Sequence, residues 1–302
     1  MKPLTYQCQQ MVLQEMSFLK RKELYAKCPA IRKQEVQLGY RVNGMTISQT
    51  SKQCEIHVDN FKININDCPE DETKKCGITM TNNKTGITVK KSIDMDPEEA
   101  AEKWISYILD RPNTRIQLLQ LHALPICILK LDQPMTVIKL TIFVFSGVPK
   151  DSGRRSWVKT TVPVKHLKTI KVFRDDTMKS AQSVVIPRCG HIYTEILSEW
   201  QANEISIDNS LSLGQIITYC MRIKDSGRPI GFRFDSWIED SSAKVLDSLA
   251  EELNARKTSW NGRDCVTIPL NNASELNIHG ELVKLSDRLT IEVNAKGTAI
   301  DR

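Results

Sequence analysis

Aromatic residues and histidine are scarce in the sequence, and long hydrophobic runs are absent from it. Only 6% of its 302 residues are Phe, Trp or Tyr, and five are His. No stretch approaches the roughly 18 apolar residues that cross a bilayer as a helix. The most apolar run, Val137–Val148, is interrupted by Lys139 and reads as a buried strand. Near the start, Tyr6-Gln7-Cys8-Gln9-Gln10 lacks the apolar core of an export signal. These absences predict a soluble, intracellular protein with no membrane contact.

Chemistry-bearing motifs are missing as well. The nine cysteines form no C-x-x-C pair and are an odd number, which predicts reduced thiols rather than a disulfide framework. His57, His122, His166, His191 and His279 lie far apart without a His-x-x-x-His pairing, so no metal site is expected. Neither a phosphate-binding G-x-x-x-x-G-K-S/T loop nor a G-x-G-x-x-G follows a strand, and G-x-S-x-G is absent. No cofactor is expected. Cys189-Gly190-His191, with Glu195 beyond, is the one thiol–imidazole pair close in sequence; it reads as a strand-to-helix turn, with a distributed catalytic site as the alternative.

A hydrophobic share of 40% with 26% charged residues describes a chain able to bury a full core. The net charge of +6 is uneven: residues 1–91 hold 15 basic and 9 acidic side chains, leaving 27 of each in the remainder. Such a basic third is either a solvated surface or a weak nucleic-acid binder, and the thin spread of lysines among few aromatics favours the former.

Periodicity divides the chain into three textures. Residues 5–33 read as two helices, with Met11, Val12, Met16 and Leu19 at helical spacing and Pro29 as a stop. Residues 36–92 show period-two alternation (Ile56 and Val58; Phe61, Ile63 and Ile65) and read as a small antiparallel region. Turns are expected at Asn43-Gly44, Asp59-Asn60 and Asn82-Asn83, and a polar loop at 67–75. A helix is expected from Asp96-Pro97 to Arg111-Pro112. Beyond it, Leu118–Leu121, Ile126–Leu131 and Ile138–Phe145 read as strands or buried segments. Leu167–Phe173, Ser183–Ile186, Glu204–Asp208, Gly231–Phe234 and Cys265–Leu270 read as further strands. Helices are expected after Ser212, ending at Gly227 and Pro229, and over Val245–Leu253. Strand, helix and strand in quick succession imply parallel crossovers. The fold class expected is α+β to α/β: a helical segment at 1–34, a β-hairpin region at 35–95, and an irregular leucine-rich-repeat-like stack at 96–302.

Two further features bear on partners. Asp151-Ser152-Gly153-Arg154-Arg155-Ser156 reads as a polar loop that also has the shape of a phosphorylation site, Ser152 and Ser156 being the acceptors. Trp157 follows it and would anchor a partner if exposed.

The N-terminal pattern Lys2-Pro3-Leu4-Thr5-Tyr6, Val12-Leu13, Met16-Ser17-Phe18-Leu19, Arg21 and Cys28-Pro29-Ala30-Ile31 resembles the opening segment of a nematode-expanded family. Its members carry an F-box or F-box-like start followed by an F-box-associated region. Gly227-Arg228-Pro229-Ile230-Gly231 and Cys265–Leu270 resemble recurring segments of that region. The resemblance implies a non-catalytic interaction module, a substrate receptor that docks on the Skp-type adaptor of a cullin–RING ubiquitin ligase and presents a surface to a target protein. Leu4, Val12, Leu13, Met16, Phe18, Leu19 and Leu24 would then be the adaptor contacts, a small apolar face of helix-in-groove type. The same residues would equally serve to fold the two helices onto the body of the protein.

Overall fold

Alternating apolar residues need a partner face, and the chain supplies one with helices laid on one side of mixed β-sheets. The computed structural model describes residues 6–50, 53–67, 76–122, 126–143, 158–172, 174–187, 192–283 and 286–301. They form two compact units, 1–165 with 175–177, and 166–174 with 178–302. The fold is mixed α/β and mostly sheet.

The first unit opens with α1 (Tyr6–Glu15), α2 (Phe18–Lys27), a single 3-10 turn (Pro29–Ile31) and α3 (Arg32–Val36). Ser17 caps α2, accepting from the Lys20 amide. Five strands follow as an antiparallel meander: β1 (Arg41–Gln49), β2 (Gln53–Val58), β3 (Phe61–Asp67), β4 (Cys76–Asn82) and β5 (Thr88–Ile93). After α4 (Pro97–Leu109) the chain returns to pair β6 (Arg115–Leu121) parallel to β1. The short helix α5 (Ile126–Leu129) then leads to β7 (Thr136–Ile142), parallel to β6. The strand order is β7-β6-β1-β2-β3-β4-β5. Asp96 caps α4 through the Glu98 amide, with Pro97 in the first turn as the sequence predicts. Its buried face of Ala100, Ala101, Ile105, Ile108 and Leu109 lies on β2, β3 and β4.

Residues 126–131, expected as a strand or a buried segment, are buried at Cys127, Ile128 and Leu131 and begin as a helical turn. One expectation needs correction. Asn43-Gly44 is not a turn; it lies inside β1, where both amides donate to Asp59 Oδ1 at 2.9 and 3.1 Å. The first unit runs on to 165, because β6 completes the sheet that β1 begins.

The second unit starts with four parallel strands: β8 (His166–Thr169), β9 (Ser183–Ile186), β10 (Glu204–Leu211) and β11 (Arg233–Ile238). Short helices α6 (Asp176–Ser180) and α7 (Thr194–Leu197), then α8 (Leu213–Ser226), connect them. Leu167, Val184, Ile205 and Phe234 are cross-strand neighbours and all are buried. Helix α8 begins in a reciprocal capping box between Ser212 and Gln215, and Gly227 ends it at a positive φ. After α9 (Ser242–Glu252) the remaining strands are antiparallel: β12 (Arg256–Trp260), β13 (Arg263–Pro269), β14 (Ser274–Val283), β15 (Ser286–Ala295) and β16 (Ile300–Asp301). The order is β8-β9-β10-β11-β15-β14-β13-β12-β16. The expected repeat-like stack over 96–302 is therefore not one stack. Parallel strand–helix succession holds over β8–β11, short connections join β12, β13 and β14 antiparallel, and β15 and β16 return antiparallel to β11 and β12.

Candidate interaction surfaces

The seven residues that the F-box resemblance points to part company in the structure. Leu4 lies outside the described residues. Leu13 and Phe18 are buried in their own unit, each 2% exposed. The Phe18 ring meets Tyr40 edge-on at 5.0 Å and Phe61 at 6.1 Å. Met16, Leu19 and Leu24 are half-buried. Val12 is exposed at 45%, beside Met11 at 66%.

A charged cluster fastens these helices to the unit. Glu35 is fully buried, and its carboxylate faces Arg21 at 3.6 Å, Arg111 at 3.3 Å and Lys22 at 2.9 Å. The Tyr40 hydroxyl donates to Glu35 Oε1 at 2.6 Å. The excess positive charge is offset by backbone dipoles. Arg21 donates to the carbonyls of Gly39 at 2.5 Å, Leu38 at 2.9 Å and Glu35 at 3.0 Å, and Arg111 donates to the Glu35 carbonyl at 2.7 Å. Burial would raise the Glu35 pKa, but the bonds from Tyr40 and Lys22 outweigh it and hold the carboxyl below its ordinary range. Burial also draws Lys22 down to about 8, despite Glu35. The Lys22 ammonium lies over the rings of Tyr107 and Tyr25 at 4.2 and 5.1 Å.

The first unit's sheet has a second face, opposite the one that carries α4. Thr141, Gln120, Thr46, His57, Lys62, Thr81 and Thr88 follow one another as cross-strand neighbours from β7 to β5. Every member of this row is polar. Thr46 donates to Gln120 at 3.1 Å, and Thr81 and Thr88 share a bond of 3.1 Å. Beside the row, Glu55 joins His57 at 2.5 Å and Lys62 at 2.7 Å, and the Lys62 bond is the main reason its carboxyl lies below the ordinary range. Thr46, Ser48, Glu55, His57, Asp59 and His122 line an open cleft of about 440 Å³. The His122 ring stacks on Phe143 at 4.6 Å. This face offers mixed hydrogen-bond donors and acceptors around an open cleft.

The corresponding row of the second unit is Thr258, Cys265, His279, Thr290, Asp235 and Ser206. Here the polar groups are largely buried and bonded to one another. Asp235 accepts from Arg233 at 2.8 and 3.2 Å and from Thr290 at 2.7 Å. Burial would raise its pKa, and these bonds bring it below the ordinary range instead. Thr267 donates to Asn277 at 2.8 Å and lies 2.8 Å from Thr258. His279 lies on the Trp260 ring at 4.9 Å with neither ring nitrogen bonded.

Reading periodicity for its apolar half missed the open face. Ile56, Val58, Ile63 and Ile65 mark the buried positions of β2 and β3, and the residues between them (Glu55, His57, Lys62 and Asn64) form the opposite face. Cys189, His191, Ser152, Ser156 and Trp157 lie outside the described residues, as does the acidic part of the 67–75 loop. Among the described residues, no group of three or more His, Cys, Asp or Glu is placed to hold a metal ion, and no helix is long and apolar enough to cross a membrane. Compared with known proteins, the chain matches no family model, no curated protein and no solved structure.

Proposed function

We propose that the protein is a non-catalytic interaction module whose first unit recognises a protein partner through its polar sheet face. The observation that supports this is the row from Thr141 to Thr88. Seven consecutive cross-strand positions are polar, while α4 and Phe18 lie on the other side. A solvated face needs only some polar residues. A row half-buried over most of its length, beside an open cleft, suits a partner that supplies matching hydrogen bonds. The test is cross-linking and capture by the purified protein, with Thr46→Arg and Asn64→Arg together as the variant. Loss of the captured partner at unchanged melting temperature supports the reading, and retention of it rejects the face.

A second reading, in which the chain is a substrate receptor on a Skp-type adaptor of a cullin–RING ligase, is favoured by one observation: Met11 and Val12 leave an apolar strip of α1 exposed. Co-elution with purified adaptor tests it, using Val12→Asp rather than the buried Leu13 or Phe18. Binding by the wild type, lost in a folded Val12→Asp, supports docking. Absence of wild-type binding makes the helices internal structure, which the Glu35 cluster alone would explain.

A further inference from the structure

Strand β5 ends the first unit's sheet, and no strand pairs with its outer side among the described residues. Its polarity is fixed by its partner. The Asn82 amide donates to the Ile87 carbonyl at 2.9 Å, so that pair is hydrogen-bonded. Bonded pairs in an antiparallel ladder recur every second residue, at Met80–Val89 and Ile78–Lys91. Thr88 and Lys90 therefore direct their backbone N–H and C=O away from the sheet.

Side chains along this edge carry a further pattern. Ile56, Ile63, Met80 and Val89 are successive neighbours on the side that faces α4. Burial fades along the row, from Ile56 and Ile63 at 0% to Val89 at 52%, because α4 covers β2 to β4 and stops short of β5. Ile87 is 64% exposed. Lys84, Lys90 and Lys91 are exposed, and none takes part in an ion pair among the described residues. An open edge, apolar anchors and unpaired cations thus lie within one hairpin.

We propose that the outer edge of β5 takes an extended acidic peptide as an additional antiparallel strand. Its alternate apolar side chains would continue the Met80–Val89 row, and its carboxylates, on the opposite face, would meet Lys90. A second copy of the chain is disfavoured at the same edge. Antiparallel self-pairing of β5 centred on Lys90 would set that lysine against its own copy, the usual defence of an exposed edge. An acidic strand meets no such opposition. This goes beyond the reading above, since pairing on the edge requires neither the polar face nor the N-terminal helices.

The test is fluorescence anisotropy of the full chain with a labelled octapeptide of alternating Val and Glu, against its Val-Lys counterpart. Saturable binding of the Val-Glu peptide alone, weakened by salt, is expected. Lys90→Glu should weaken it at least tenfold. Lys90→Pro should do the same at unchanged melting temperature, since it removes an outward N–H and leaves the β4 ladder intact. Equal binding of both peptides, binding unaffected by Lys90→Pro, or self-association of the chain through β5 would overturn the proposal. Failure here leaves Thr46→Arg and Val12→Asp to be judged on their own measurements.

Discussion

His279 is 3% exposed, tilted at 33° against the Trp260 ring, and unbonded at both ring nitrogens. Burial lowers its pKa from the ordinary 6.5 to about 4, with Arg263 and Arg233 adding to the effect. The unfolded chain therefore binds one more proton than the native state between those two pH values. Stability from this residue is complete above pH 6.5 and falls as pH drops toward 4, by ~3 kcal/mol in all. Glu35 and Asp235 act in a separate window. Their folded pKa values lie below the ordinary carboxylate range, so the stability they confer is lost only as pH falls through that range toward the lower folded values. Urea denaturation between pH 7 and 4.5 checks this. The wild type should lose stability, and His279→Phe, which keeps a ring on Trp260, should flatten the slope. An identical slope in both proteins would remove His279 as its cause.

Two Asn-Gly pairs show how much of an element a local motif decides. Asn261-Gly262 joins β12 to β13 with both residues at positive φ, 52° and 76°, as a two-residue hairpin requires. Asn43-Gly44 has the same sequence and lies within β1. The difference is tertiary. Val42 aligns with Ile116 and Val137, and Met45 with Leu119 and Leu140. All six are buried, three residues apart along each of three neighbouring strands, so each strand shifts its pleat at the same level. Asp59 accepts the two amides there. Strands that alternate cleanly, such as β2, β3 and β9, and helices with caps, such as α4 and α8, are legible in the sequence because their signals are local. The shift in β1, the parallel return of β6 and the polar row are not, because each depends on a neighbour distant in the chain. Gly39 is of this second kind. A Cβ there would lie 2.3 Å from the Pro112 carbonyl oxygen and 2.4 Å from the Thr114 amide nitrogen, both backbone atoms, whereas one on Gly44 meets nothing within 4 Å. Gly39→Ala should cost about 2 kcal/mol or more, and Gly44→Ala should stay within about 0.5 kcal/mol. The shift in urea midpoint measures both, and equal effects would mean that the close approach at Gly39 is relieved without cost.

At the scale of the molecule, sheet pairing decides the units, and the first unit runs past the change from strand to helix texture near residue 95. Strand β1 waits for β6 across the whole of β2 to α4, and the unit closes only once β7 is in place. The second unit then carries its own complete set of parts. It has four parallel and five antiparallel strands, with α8 and α9 each burying one face. Its interior includes Trp200, Tyr219, Phe232 and Phe234, all nearly inaccessible, with the Tyr219 and Phe234 rings 4.3 Å apart. A core of this size lies within the range that folds alone. Residues 166–302 expressed by themselves should therefore unfold in urea as one cooperative transition, with Trp200 fluorescence shifted to the blue in the native state. The pH argument sharpens the test. His279, Trp260, Arg263 and Arg233 all belong to this unit, so the fragment should keep the same loss of stability below pH 6.5, and His279→Phe should flatten it there too. A folded fragment without that slope would trace the effect to residues outside the unit, and an unfolded fragment would show that its core is not sufficient by itself.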